Sequence, residues 1–149
     1  MARFSKIETL SAIVSTGIVP VFYHQCPQTA KDVLKACYDG GIRAFEFTNR
    51  GEFAHEVFAE LSKFAAAECS GMVLGAGSVV DGPTAVLCIQ LGANFIVGPM
   101  YNPDGKEVIA RENEVSAKRK GCPPVFQRAG LPVYWEKNGK RKIFFGRSP

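Results

Sequence analysis

Two hydrophobic periods alternate along the first two thirds of the chain, and the alternation predicts its elements. Ser5-Lys6-Ile7-Glu8 has the form of a capping box, in which the Ser5 hydroxyl accepts from a first-turn amide while Glu8 reaches back to the Ser5 amide. A helix starts there. Ile7, Leu10, Ile13 and Val14 recur at helical spacing, and Gly17 is placed to end it. Ile18 to Tyr23 then reads as a short buried strand, with Pro20 at a point where no ladder hydrogen bond is needed.

The same signals repeat downstream. Pro27 suits the first turn of a helix with Ala30, Val33, Leu34 and Cys37 on one face, and Gly40-Gly41 closes it. Ile42 to Thr48 is the second strand. Glu52 to Glu68 carries Ala54, Val57, Phe58, Leu61 and Phe64 or Ala65 on a helical stripe, and Met72 to Ala76 follows as the third strand. Asp81 to Leu91 is a helix with Pro83 in its first turn, and Asn94 to Val97 is the fourth strand. Strand starts near 18, 42, 72 and 94 lie 24, 30 and 22 residues apart, the rhythm of βα units in a parallel sheet.

After Asn102-Pro103-Asp104 a helix is expected through Lys106 to Arg111, and beyond it the periodicity fades. Val133 to Trp135 and Lys142 to Phe145, around Asn138-Gly139, read by themselves as a β-hairpin with a tight turn. A closed eight-fold βα barrel typically needs ~200 to 250 residues. At this spacing 149 residues reach about six units, so either the sheet is open or this is part of a barrel.

Composition narrows the class. With 46% hydrophobic and 21% charged residues the chain is one soluble globular domain, and its longest apolar runs are far short of the ~20 residues of a membrane span. The net charge of +4 conceals a split: residues 1–110 hold 8 Lys+Arg against 11 Asp+Glu, whereas residues 111–149 hold 10 against 3. The basic segment is either an arm for an anionic partner such as nucleic acid or a stretch with a different history from the rest. Cys26, Cys37, Cys69, Cys88 and Cys122 form no CxxC or Cys/His pair, which points to free thiols in a reducing cytoplasm. With only His24 and His55 besides, no metal site is expected.

Strands of a sheet covered on both faces are nearly continuous apolar runs. Glu46 breaks that pattern. Alternation puts Ala44, Glu46 and Thr48 on one face and Phe45 and Phe47 on the other. The bulky pair belongs under the helices, which turns Glu46 and Thr48 toward a barrel interior or cleft near the strand's carboxyl end, where active sites of βα folds lie. A carboxylate there has a raised pKa unless paired, which suits proton transfer near neutral pH. Arg50 is the natural partner for Glu46 or for a substrate carboxylate, so an internal ion pair and a catalytic pair both fit.

Gly75-Ala76-Gly77-Ser78 ends the third strand, where glycines let backbone approach a ligand and a hydroxyl can bond a carboxylate or phosphate oxygen. Gly98-Pro99 ends the fourth in the same way. His24, at the first strand's end, fits either the same mouth or, as the favoured reading, a solvated loop, and His55 reads as solvent-facing, while Phe4, Phe22 and Phe53 read as core or staple residues.

Ile18-Val19-Pro20-Val21, the run from Gly40 to Arg50, Gly75-Ala76-Gly77-Ser78-Val79 and the run from Leu91 to Pro99 together resemble the KDPG/KHG aldolase family. These are the 2-keto-3-deoxy-6-phosphogluconate and 4-hydroxy-2-oxoglutarate aldolases. The resemblance covers roughly residues 1–110 and leaves 111–149 as a basic, divergent segment. It implies a (βα)8 TIM barrel, here an incomplete one of about five or six βα units with an N-terminal helix. It further implies a cytoplasmic homotrimer that cleaves a 2-keto-4-hydroxy acid to pyruvate and an aldehyde through a lysine Schiff base, with no cofactor or metal.

By position, the resemblance gives Glu46 the proton transfer, Arg50 with the Ser78 hydroxyl the pyruvate carboxylate, and Pro99 the lining of the same pocket; Thr48, turned inward by the alternation, and Gly77 complete the expected substrate-binding set. Lys142-Ile143-Phe144-Phe145-Gly146 matches the strand of the imine lysine, with Phe145 where the family has proline. The family's last strands, which bind substrate phosphate, have no counterpart before residue 149. A second reading makes the chain an inactive aldolase remnant that serves as a partner-binding or oligomerisation module. Nucleic-acid binding ranks last, because Tyr134 and Trp135 are the only stacking residues near the basic cluster.

Overall fold

The structure, a computed structural model, describes residues 3–99, 132–135 and 141–142. Helix α1 (Lys6–Thr16) opens on the expected capping box, with both reciprocal hydrogen bonds formed at Ser5 and Glu8, and closes at Gly17 in the left-handed conformation. Strand β1 is shorter than expected, Val21–Phe22 in place of residues 18–23. Pro20 has no amide for the ladder but uses its carbonyl, which accepts from the Glu46 amide at 2.9 Å.

Helix α2 (Pro27–Asp39), strand β2 (Ala44–Thr48), helix α3 (Ala54–Glu68), strand β3 (Val73–Gly77), helix α4 (Gly82–Gln90) and strand β4 (Phe95–Gly98) follow in the expected order. Boundaries differ from the sequence-based expectation by one or two residues. The third and fourth strands each begin one residue later and run through a glycine, Gly77 and Gly98. Asp81 caps α4 and Pro83 lies in its first turn.

Strands β1 to β4 pair in parallel and in chain order, with Val21 opposite Glu46, Glu46 opposite Gly75 and Gly75 opposite Phe95. Strand β5 (Pro132–Trp135) continues the parallel sheet beside β4, and β6 (Arg141–Lys142) pairs with β5 in the antiparallel sense. The hairpin reading of this region therefore holds, and the sixth strand departs from the all-parallel barrel pattern. The reason is reach: a parallel return needs a crossover of a dozen or more residues, and only residues 136–140 separate the two strands. The helix expected at 106–111 and the remainder of a strand over 142–146 fall outside the described residues.

The two faces of the sheet carry separate cores. Phe45, Phe47, Leu74, Ala76 and Ile96 point to the helix side, where they pack with Ala30, Leu34, Val57, Phe58, Leu61 and Ala65. On the inner face Val73, Phe95 and Val97 meet Leu10, Ala12 and Ile13 of α1 together with Phe4 and Val19. Helix α1 thus plugs the inner face. Arg3 anchors its leading segment by donating to the carbonyls of Ala65 at 3.1 Å and Met72 at 2.9 Å. The Asn94 side-chain oxygen, with the amide turned to suit its neighbours, accepts from the Arg3 and Phe4 amides at 3.1 Å each. Phe53 departs from its expected core role: it is 65% exposed and takes a left-handed backbone with φ 55° just before α3.

Two outcomes follow from these placements. Asp81 accepts from the Thr84 amide at 2.8 Å and from its hydroxyl at 2.9 Å, so Asp81→Ala is expected to cost about 1 kcal/mol, read as a lowered denaturant midpoint. Among the described cysteines, Cys26 is exposed and the Thr29 and Gln28 amides at the start of α2 draw its pKa down, whereas burial pushes the Cys88 thiol up to about 11. Alkylation of the native chain at neutral pH should therefore label Cys26 ahead of the other described cysteines and spare Cys88 until the chain unfolds.

Candidate active site

Parallel strands place all their carboxyl ends on one side of the sheet, and the candidate residues gather there. Thr48 is the last residue of β2 and stands opposite Gly77, the last residue of β3. Ser78 and Pro99 directly follow β3 and β4. Arg50 lies two residues past β2. The register thus groups, at one end, six of the residues singled out from sequence: Glu46, Thr48, Arg50, Gly77, Ser78 and Pro99.

Glu46 is 8% exposed at the centre of β2, a depth at which a carboxylate needs partners or loses its charge. Space for it comes from β3. A side chain on Gly77 would collide with the Glu46 carboxyl group, so the carboxylate leans along the inner face toward the rim, over backbone that carries no Cβ. Gly75 one step below is filled in the same way by the Phe95 ring. The glycines of the third strand are therefore cavities occupied by their neighbours, a more specific role than the tight turn that glycines at a strand end equally suggest.

At the rim, the Arg50 Nε donates to the Ser78 Oγ at 3.0 Å. Arg50 is exposed and Ser78 half-buried, so the guanidinium is held on one side and leaves other N–H groups for an oxyanion. Ser78 takes a left-handed backbone, φ 59°, which is unusual for a residue with a side chain and costs of order 1 kcal/mol. The start of the Arg50 loop is tied to the same strand end, where the Asn49 amide donates to the Gly77 carbonyl at 2.8 Å. Thr48 is buried, and its hydroxyl faces the Phe22 carbonyl at 3.4 Å, which spends it on joining β2 to β1. Pro99 is exposed beyond β4.

Lys142 enters from the far edge of the sheet. Gly98 stands opposite Tyr134, and Tyr134 opposite Lys142, so the α-carbon of Lys142 lies level with the carboxyl end of β4 although its strand runs the other way. Its side chain lies outside the described residues. His24 follows β1 at the same end of the sheet, where its Nδ1 accepts from the Cys26 amide at 3.0 Å, and His55 is exposed on α3. Among the described residues no cluster of His, Cys, Asp or Glu could hold a metal ion, and no helix is long and apolar enough to cross a membrane.

Sequence reasoning passed over Tyr23 and Gly51. The Tyr23 phenol, packed on Phe47 with ring centres 5.7 Å apart, occupies the space that a side chain on Gly51 would need. A glycine immediately after the candidate carboxylate-binding arginine was the available signal.

Comparison with known proteins agrees with this fold. The family model for KDPG and KHG aldolase matches residues 10–117. A 2-dehydro-3-deoxy-phosphogluconate aldolase of Treponema pallidum (strain Nichols) is 32% identical over 97 residues, 65% of this chain and 44% of the relative. The 2-keto-3-deoxy-6-phospho-gluconate aldolase of Zymomonas mobilis ATCC 29191 superposes with a TM-score of 0.60 at 23% identity, over 83% of this chain and 51% of that one. A KDPG aldolase of Legionella pneumophila, with pyruvate captured as a covalent carbinolamine, does so at 0.60 and 19%, over 74% and 56%. The chain spans about half the length of these relatives. The matched span runs from within the first helix past the fourth strand, with Glu46, Arg50 and Ser78 inside it, and the chain belongs to the KDPG and KHG aldolase family.

Proposed function

We propose that the chain carries a class I aldolase site that cleaves a 2-keto-4-hydroxy acid, KDPG or 4-hydroxy-2-oxoglutarate, to pyruvate and an aldehyde. The observation that supports this most is the placement of Glu46, a buried carboxylate on the inner face that leans over Gly77 toward a rim where Arg50 and Ser78 meet. An acid/base group beneath a carboxylate-binding pair is the arrangement that a keto acid requires. The Legionella relative holds pyruvate as a carbinolamine, the adduct that precedes an imine, and the same chemistry is assigned here to Lys142.

In this reading Arg50, with the Ser78 hydroxyl, holds the carboxylate of the keto acid and presents its C2 carbonyl to the lysine. The Lys142 Nζ adds to C2, and loss of water leaves a protonated imine. A base takes the proton from the C4 hydroxyl, the C3–C4 bond breaks, and its electron pair moves onto C3 and the imine nitrogen as an enamine while the aldehyde departs. Glu46 then returns a proton to C3, and water hydrolyses the imine to release pyruvate and free lysine. The charge on nitrogen is what makes the bond-breaking step accessible, because the electron pair then ends in a neutral enamine, whereas the free ketone would have to form a higher-energy enolate. Assembly as a homotrimer and residence in the cytoplasm belong to the same proposal.

Reduction with borohydride in the presence of pyruvate is expected to leave a stable adduct on Lys142, located by peptide mass. If no lysine gains mass, the aldolase reading is lost and the reading of the chain as an inactive binding module takes its place. Glu46→Gln keeps size and hydrogen bonding but cannot shuttle a proton, so turnover should fall by ~10²-fold or more with adduct formation retained. Unchanged turnover would reassign Glu46 to structure.

A further inference from the structure

The loop that carries Arg50 is held by more than its own contacts. It runs from Asn49 to Phe53, begins with the Asn49 amide on the Gly77 carbonyl at 2.8 Å, and ends with the Ala54 amide on the Gly51 carbonyl at 3.2 Å. Between those ties stands Gly51. The space beside its α-carbon is filled by the Tyr23 ring and hydroxyl, so a methyl group there would overlap the phenol. Tyr23 in turn rests on Phe47, which is 1% exposed and contacts Phe58 of α3 with ring centres 6.3 Å apart. A chain of packed rings therefore runs from the buried core to the backbone atom next to Arg50.

We infer that Tyr23 is a positioning residue for Arg50: by filling the space at Gly51 it fixes the loop backbone so that the guanidinium meets Ser78 and faces an incoming carboxylate. The inference rests on the carboxylate role proposed for Arg50. Two conformational facts support it. Phe53, at the loop's other end, has φ 55°, and Ser78, which receives the Arg50 hydrogen bond, has φ 59°; such backbones persist only where surrounding contacts over-determine them. Gly51 itself is not among the glycines in the left-handed region, so its lack of a side chain is required by the phenol and not by its backbone angles.

The experiment is a cycle of Tyr23→Ala, Tyr23→Phe, Gly51→Ala and the double variant Tyr23→Ala with Gly51→Ala, each made in the full chain. Deuterium uptake of the segment 49–54 reports the loop directly, and the pyruvate concentration that half-saturates borohydride trapping reports the carboxylate site. Tyr23→Ala is expected to raise uptake in 49–54 while β2 and β3 stay protected, and to raise the half-saturating pyruvate by ~10-fold or more. Tyr23→Phe keeps the ring and should behave as wild type.

Gly51→Ala should disturb the loop in the wild-type background but add little once Tyr23 is alanine, because the space is then empty. Uptake in 49–54 that is unchanged by Tyr23→Ala, or Gly51→Ala effects that simply add to it, would overturn the inference. A loosened loop with unchanged pyruvate saturation would instead support the clamp and overturn the carboxylate role of Arg50. Should Tyr23→Ala not fold, Gly51→Ala in the wild-type and Tyr23→Phe backgrounds tests the same contact, since both rings collide with the added methyl: raised uptake in 49–54 in both is expected, and unchanged uptake in both would overturn the inference.

Discussion

Two missing side chains on the third strand shape everything around them. Gly75 at the middle and Gly77 at the carboxyl end of a fully buried strand leave volume that is taken by the Phe95 ring and the Glu46 carboxyl group. Interiors are packed to near-crystalline density, so a vacancy of this size must be filled, and which neighbour fills it decides what the inner face can do. Phe95 fills the lower one and joins the core with α1. Glu46 fills the upper one, at the end of the sheet where the loops converge. A bulkier residue at position 77 would push the carboxylate aside and close the space in which it leans.

The rest of the fold secures that arrangement from both sides. On the outer face, helices α2, α3 and α4 bury Phe45, Phe47, Leu74 and Ile96, which holds strands β2 to β4 in a single register. On the inner face α1 occupies the end opposite the candidate site, held by the Arg3 and Asn94 hydrogen bonds, and so leaves the carboxyl ends of the strands to Glu46, Arg50 and Ser78. Strain is concentrated at this same end, in the left-handed backbones of Phe53 and Ser78. The two hydrophobic clusters thus lie on the helix side and against α1, and the candidate site residues lie at the carboxyl ends of the strands.

Much of this was legible in the residues. The capping box at Ser5, the stripe from Ala54 to Ala65 and the alternation across Ala44 to Thr48 each encode their environment locally, because period and face are fixed by the backbone repeat alone. The inward position of Glu46 followed from that alternation. Elements were less legible where the deciding partner is remote. β1 shrank to two residues because Pro20 offers the ladder only its carbonyl, and Phe53 went to solvent because its backbone turns left-handed before α3. The contact of Tyr23 with Gly51 joins positions 28 residues apart, and no periodicity links them.

By itself, then, the sequence determined the order of strands and helices, the face on which each side chain lies and the family to which the chain belongs, since all three are written in short-range spacing and short motifs. It also limited the connection between β5 and β6 to five residues, which forces an antiparallel pair. Only the tertiary structure decided the rows: that Val21, Glu46, Gly75 and Phe95 share one level, that the glycine Glu46 leans across is not Gly75 opposite it but Gly77 nearer the rim, and that Lys142 lies level with Gly98. Register is a property of pairs of strands, and a slip of one residue would turn Glu46 away from the inner face without altering any single element.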